Sequence, residues 1–415
     1  MDFLPDLTRT VLTRSPRPFL FLRGGERRLA YEDEENLGLY VHIPFCRKIC
    51  AFCPYCKTLY QREEAEAYVR DLLREIELTA SGKPKKRATS LYFGGGSPAL
   101  LAERVGEIVG KLREHFEITG GIGIELHPDD VKEETLRLLK DAGVTRLSIG
   151  VQSFGKKFQR ILGRPPFDPR AMKKALDAVK FETVSMDFIF ALPGQTAHDL
   201  LRDVRIAEWV GANHVALYPL IDFSFTGNGI PAMPNGRKRR LLRETAARLA
   251  SRGFRRTTIW TFAKGDAAYS SMTRESFLGF GVSAVSLLRK SFRINTFSLA
   301  AYRERIKRGA LPTALTLRFT ERQRMVYWLF WTAYGMEVRE KDFERFFGVP
   351  LRKAYGKELL FAKAMGYVTE KDGVWRMTDR GAFAYHLYEK HYTYAYIDKM
   401  WNLLRREAYP EKIVL

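Results

Sequence analysis

Outside one short stretch the 415-residue chain has no cysteine: all four thiols lie between Cys46 and Cys56. With none elsewhere to pair with, a disulfide framework is excluded. Apolar runs are broken by charges well before the roughly 20 residues a membrane-spanning helix needs, so no transmembrane segment is expected. The opening MDFLPDLTRTVLTRSPRPFLF lacks the continuous apolar segment of a secretory signal, which predicts a cytoplasmic protein. Acidic residues are scarce beside basic ones, 48 against 69, and the net charge is +21. Such a surface attracts polyanions, among them an anionic membrane face, to which the chain would be peripheral, or a polycarboxylate substrate. Its cations are dispersed, with short clusters only at Lys83–Arg87 and Arg237–Arg240, and no nucleic-acid motif accompanies them. No specific nucleic acid is expected. Repeats and low-complexity tracts are missing too. Hydrophobic residues at 46% and aromatics at 13% describe a globular chain with room for two or three domains.

What is present first is the stretch HIPFCRKICAFCPYC, His42 to Cys56. Structural zinc usually joins two cysteine pairs across a dozen or more residues, and no such loop exists here. Closely spaced thiols on a curled loop suit an iron–sulfur cluster, where each corner needs its own thiolate. The spacing Cys46-x3-Cys50-x2-Cys53 resembles the radical S-adenosylmethionine (SAM) superfamily. Tyr40-Val41-His42-Ile43-Pro44-Phe45-Cys46 is similar to the first-strand signature of the oxygen-independent coproporphyrinogen III oxidase family, which also contains haem chaperones and methyltransferases. The resemblance implies that Cys46, Cys50 and Cys53 hold three irons of a [4Fe–4S] cluster, leaving the fourth for the amino and carboxylate groups of SAM. It further implies reductive cleavage of SAM to a 5′-deoxyadenosyl radical that abstracts hydrogen from the substrate, with a flavodoxin- or ferredoxin-like electron donor. Cys56 as a fourth ligand would close the cluster. The family's oxidases carry a non-ligand cysteine two residues after the third ligand. Cys56 lies three residues after, and is read as a non-ligand.

Strand-like and helical stretches alternate from Leu39 to about Leu220, which predicts an α/β fold with a parallel sheet. Six strand–helix units match the partial (β/α)6 barrel that the resemblance implies. The expected domains are an N-terminal extension over 1–37, the barrel over 38–235, and barrel-closing elements over 236–310. A linker over 310–316 then leads to a helical, winged-helix-like domain over 311–415. Leu91-Tyr92-Phe93-Gly94-Gly95-Gly96-Ser97-Pro98 follows the second strand, and consecutive glycines let a backbone approach a ligand closely. By resemblance Gly95, Gly96 and Ser97 meet the methionyl amino group of SAM. Glu125 in IELHPDD, Gln152 in RLSIGVQSF, Arg164 in ILGRPP and Asp187 in MDFIFALPGQT hold its ribose, adenine or carboxylate. The resemblance also implies that Tyr40 contacts the methionyl end and Phe52 flanks the adenine. No acid–base pair is assignable, and the catalytic residues stay open.

Three substrate readings remain. A tetrapyrrole, oxidatively decarboxylated, suits the basic surface and is the leading one. A planar lipophilic acceptor such as a quinone would be methylated with two SAM molecules. A haem chaperone would need the His-Asn-x-x-Tyr-Trp motif, but residues 268–281 read AYSSMTRESFLGFG. The aromatic tail His391–Trp401 is read as core packing.

Overall fold

The computed structural model describes residues 3–24, 29–227, 229–267 and 275–415. Six strands form its parallel centre: β1 (Leu37–Ile43), β2 (Ser90–Gly95), β3 (Ile122–Leu126), β4 (Val144–Gln152), β5 (Thr183–Phe190) and β6 (His214–Pro219). They lie side by side in chain order, each parallel to the next. Near-continuous burial explains their apolar runs, since helices cover a parallel sheet. The crossovers are α1 (Arg62–Ala80), α2 (Ala102–His115), α3 (Glu133–Asp141), α4 (Pro169–Ala178) and α5 (Ala197–Val210), followed by α6 (Asn235–Ala250) after β6. In α1 the buried side chains Ala65, Tyr68, Val69, Leu72 and Ile76 recur three and four apart. A reciprocal cap between Thr196 and Asp199 starts α5, and Gly211, at φ 118°, ends it.

The sheet continues past both edges to fourteen strands. Thr261–Ala263 runs antiparallel to β6, and Arg255–Arg256 pairs with it. Beyond β1 come Ser276–Phe280, parallel to it, then Val285–Leu287, Ser291–Asn295 and Thr313–Arg318 as an antiparallel series. Leu20–Arg23 lies on Thr313–Arg318, and Lys412–Val414 lies on Leu20–Arg23. The expected linker over 310–316 is therefore corrected. Thr313–Arg318 is a strand buried along five of its six residues, and its alternating threonines disguise it because both neighbours are remote in sequence. The segment over 1–37 is likewise laced into the sheet through Leu20–Arg23.

A separate three-stranded antiparallel sheet (Glu337–Arg339, Val374–Met377, Val368–Lys371) packs with α7 (Glu321–Tyr334), α8 (Glu340–Phe347) and α9 (Leu351–Ala364). Trp328, Phe343, Phe346, Tyr355 and Trp375 fill its core, and the strand Glu337–Arg339 and α8 are inserted between the two helices expected from the sequence ahead of the hairpin. Next, α10 (Asp379–Tyr392) runs through a π-helical turn at Thr393–Asp398 into Lys399–Arg406. Tyr396 and Met400 of the tail are core, packed with Phe21, Ile294 and Leu315. No helix among the described residues is long and apolar enough to cross a membrane.

Candidate functional site

All four cysteines are free and partly accessible, on the loop that leaves the C-terminal end of β1. Ligands of parallel barrels collect at this end. Cys50 and Cys53 pack against Phe52, Phe158, Leu162, Ile189 and Leu192. Burial pushes the Cys46 thiol up to about 12, with Cys53 and Cys50 adding to the rise and Lys57 and Arg164 opposing it. The Cys53 thiol is raised too, by burial first and by Cys50 as well. Cys56 has partners of its own. Its Sγ donates to the Phe297 carbonyl at 3.4 Å and bonds Ser283, while burial raises its pKa.

The glycine turn is built against this loop. The Gly96 N–H donates to the Ile43 carbonyl and the Ser97 N–H to that of Phe45, both at 2.8 Å. A methyl group at Gly96 would sit 2.5 Å from the Phe45 oxygen and 2.9 Å from Cys46 Sγ, and Gly95 holds φ 126°. Only glycine fits. Because the Gly95 N–H is also spent, on Glu125 Oε2 at 3.1 Å, what the turn can offer a ligand is carbonyl oxygen, an acceptor for an ammonium group. The Ser97 hydroxyl is directed elsewhere, donating to Asp130 at 2.6 Å.

Two carboxylates stand on β3 and β5, either side of β4, Glu125 one residue from its strand's end and Asp187 three. Glu125 accepts from the Tyr92 hydroxyl at 3.0 Å as well as from Gly95, and burial, reinforced by Asp187, pushes it up to about 7. Asp187 accepts from Ser148 at 2.8 Å, and burial raises it to about 6. Both keep partial accessibility deep in the barrel, as do Tyr40 and Gln152. Gln152 holds φ 67°, left-handed for a non-glycine, where the β4–β5 register shifts. The Tyr40 hydroxyl pairs with His42 Nδ1 at 3.0 Å, and His42 Nε2 with the Cys56 carbonyl at 3.0 Å. Arg164 lies over Phe52, 5.6 Å from its centroid, and donates to the Gly150 carbonyl. Its buried Nε has no partner among the described residues.

Every predicted site residue therefore lies at one end of the barrel. Sequence reasoning missed Asp130. Buried to 2% exposure, it accepts from Ser97 and pairs with Arg47 inside the cysteine loop, so it ties two motifs together. Its signal was the second aspartate of IELHPDD, which reads as surface charge. Also missed was the C-terminal helix: Arg405 donates to the Pro54 carbonyl, and the Trp401 ring lies 6.0 Å from Tyr55. Residues 268–274, where the chaperone motif was sought, lie outside the described residues.

The arrangement fits an iron–sulfur cluster with SAM. Three free thiols on one curled loop meet the ligand need, a carbonyl-lined turn beside Cys46 suits an amino group, and the unpartnered Arg164 Nε suits a carboxylate.

Comparison with known proteins agrees. Residues 40–207 match the family model of the radical SAM superfamily. The oxygen-independent coproporphyrinogen III oxidase of Cereibacter sphaeroides is 30% identical over 325 residues, 70% of this chain and 71% of that protein. The enzyme of the same name from Paracoccus denitrificans is 29% identical over 339 residues, 74% and 73%. The heme chaperone HemW of Bacillus subtilis is 26% identical over 303 residues, 69% and 80%. Coproporphyrinogen III oxidase (HemN) from Escherichia coli, at 23% identity, has the same fold, with a TM-score of 0.73 over 91% of this chain and 95% of that one. The chain is a radical SAM enzyme whose cofactors are a [4Fe–4S] cluster and SAM, and it belongs to the oxygen-independent coproporphyrinogen III oxidase family.

Proposed function

We propose that the enzyme acts on a carboxylate-bearing tetrapyrrole, as the names of its relatives state of theirs, with the cluster on Cys46, Cys50 and Cys53 and SAM on the vacant corner. The observation that carries this reading is the position of Cys56. Its thiol is engaged by Phe297 and Ser283, which leaves three cysteines for the cluster. When bound, the cluster and SAM supply hydrogen abstraction from an unactivated carbon.

The chain's own groups bind and orient. Carbonyls of the turn at Gly95 and Gly96 accept from the methionyl ammonium, with Tyr40 beside it and Ser97 fixing the turn through Asp130. Arg164 takes the carboxylate, and Phe52 offers an apolar face to the adenine. Glu125 and Asp187, each held by a hydroxyl, accept from ribose or adenine, and Gln152 completes that wall. The apolar packing of Phe158, Leu162, Ile189 and Leu192 excludes water around Cys50 and Cys53. A flavodoxin- or ferredoxin-like donor supplies the electron.

Anaerobically reconstituted enzyme given dithionite, SAM and coproporphyrinogen III should form 5′-deoxyadenosine together with a tetrapyrrole that has lost carbon dioxide. S-adenosylhomocysteine with a methylated product would overturn the reading in favour of methyl transfer. Cys56→Ser should keep its iron and its 5′-deoxyadenosine yield, whereas Cys53→Ser should lose both.

A further inference from the structure

Reductive cleavage of SAM consumes one electron, and the chain has no second set of cysteines through which that electron could enter. It must reach the thiols of the cysteine loop from outside. The loop meets solvent at Arg47, Lys48, Ile49 and Ala51, with the Ile49 side chain among the exposed apolar groups. Against it lies the segment 153–167, which follows β4 and forms a short helix, Lys156–Ile161. The two are held together. The Lys48 ammonium donates to the Gly163 carbonyl at 3.4 Å, and Cys50 and Cys53 share an apolar cluster with Phe158 and Leu162.

Their charge is one-sided. Residues 44–62 and 153–167 together hold eight lysines and arginines and not one aspartate or glutamate, in a chain where 48 acidic residues accompany 69 basic ones. Acids on neighbouring elements are engaged already: Asp130 by Arg47 and Ser97, Asp203 by Ser153 and the Phe154 N–H, and Asp168 by the Arg170 N–H as the cap of α4. Lys48, Lys156, Lys157 and Arg160 are all exposed, and none makes an ion pair among the described residues. Exposed cations elsewhere commonly do, as Arg137 does with Glu133 and Arg345 with Glu35. Lys156 and Arg160 stand one turn apart on the same helix face, where Arg160 Nε donates to the Lys156 carbonyl at 3.4 Å. Unpaired cations around an exposed isoleucine, directly over the thiols, suit an acidic protein. Opposite charge steers and orients the encounter, and a small apolar centre suits the limited, short-lived contact of electron transfer.

We propose that this face, built from residues 47–51 and the helix Lys156–Ile161, is the docking surface for a small acidic one-electron carrier protein. The carrier is oxidised by one electron, which crosses the loop to the cluster and reduces SAM; the C5′–S bond breaks, leaving methionine and the 5′-deoxyadenosyl radical. Resting on the radical SAM assignment, this docking is independent of the substrate.

The test uses reconstituted full-length enzyme with a reduced acidic flavodoxin as the probe. Wild type should bind it, with an affinity that falls about tenfold or more between roughly 0.05 and 0.5 M salt. Lys156→Glu with Arg160→Glu should weaken binding about tenfold or more, and should slow flavodoxin-driven formation of 5′-deoxyadenosine by a similar factor at subsaturating flavodoxin. Dithionite needs no docking surface and should support equal rates in variant and wild type, at equal iron content. Lys85→Glu with Arg87→Glu makes the same change of charge just ahead of β2, at the opposite end of the barrel. It should leave binding within about twofold, because charges beyond a Debye length are screened. Should the reversal not fold, Lys156→Gln with Arg160→Gln gives the same contrast in smaller measure. Equal losses in the two pairs would show attraction by net charge alone and overturn the surface. Absence of wild-type binding, or binding indifferent to the changes at 156 and 160, would overturn it too. So would flavodoxin binding that is kept while binding to phosphatidylglycerol vesicles or to tRNA is lost, which would assign the face to a membrane or to RNA. Failure of dithionite to yield 5′-deoxyadenosine from wild type would count against the radical SAM assignment instead, since flavodoxin binding alone decides the surface.

Discussion

Glu75 is a single side chain on which three distant segments converge. Its carboxylate accepts from the Gly281 N–H at 2.6 Å, the Tyr302 hydroxyl at 2.7 Å and Asn295 Nδ2 at 2.9 Å, fixing α1 to the strands beyond β1. Burial pushes its pKa up to about 7, against the opposing effect of those donors. The sign follows. The folded chain holds the proton more tightly than the unfolded one, so this contribution to stability is complete below about pH 4.5 and is lost as pH rises through 7. Glu75→Gln mimics the protonated acid and is expected to lie within about 1 kcal/mol of wild type at pH 5. Relative to wild type it should gain stability by pH 8, where the native carboxyl must ionise; equal differences at both values, in denaturant melts, would contradict the raised pKa. Nothing in the sequence marked this glutamate, since a charge on the buried stripe of a helix is visible only once the segments it serves are known.

At the scale of the element, the cysteine loop depends on neighbours that are not ligands. Asp130 leaves β3 on a tight turn after Pro128 and receives both Arg47 and Ser97. Asp130→Ala would leave the buried Ser97 hydroxyl unsatisfied and release the half-exposed Arg47 to solvent, and the loop and the glycine turn would lose their common anchor. Outer partners of this kind usually change metal affinity about 10- to 100-fold. Iron retained after chelator challenge should fall accordingly, while melting of the rest of the molecule changes little. Unchanged retention would mean that the loop is ordered by its own backbone bonds. The six parallel strands and the cysteine motif were legible because each is local: an apolar run, a fixed spacing. The ties between motifs were not, because Asp130 reaches a residue 83 positions away and the direction of the Cys56 thiol turns on Phe297, 241 positions away.

Across the whole molecule, the chain ends meet. Phe19 and Leu415 exchange two backbone hydrogen bonds, at 2.7 and 2.9 Å, and Arg23 donates to the Glu411 carbonyl at 2.8 Å. Removing residues 411–415 deletes those three bonds and uncovers Phe21 and Ile294, at a cost of about 2–5 kcal/mol. Such a truncation should lower Tm and admit protease near residue 20, and full resistance there would show that Leu20–Arg23 is held by Thr313–Arg318 alone. This closure escaped the sequence reading for a plain reason: pairing between the first and last strands leaves no periodicity or spacing within either. The outermost strands of the fourteen have a further consequence. One is Arg255–Arg256, two residues long, and the other is Lys412–Val414, which opens with lysine. An open sheet this wide exposes two rows of unpaired peptide groups, and a brief, cationic border makes docking of a second copy along either margin electrostatically costly.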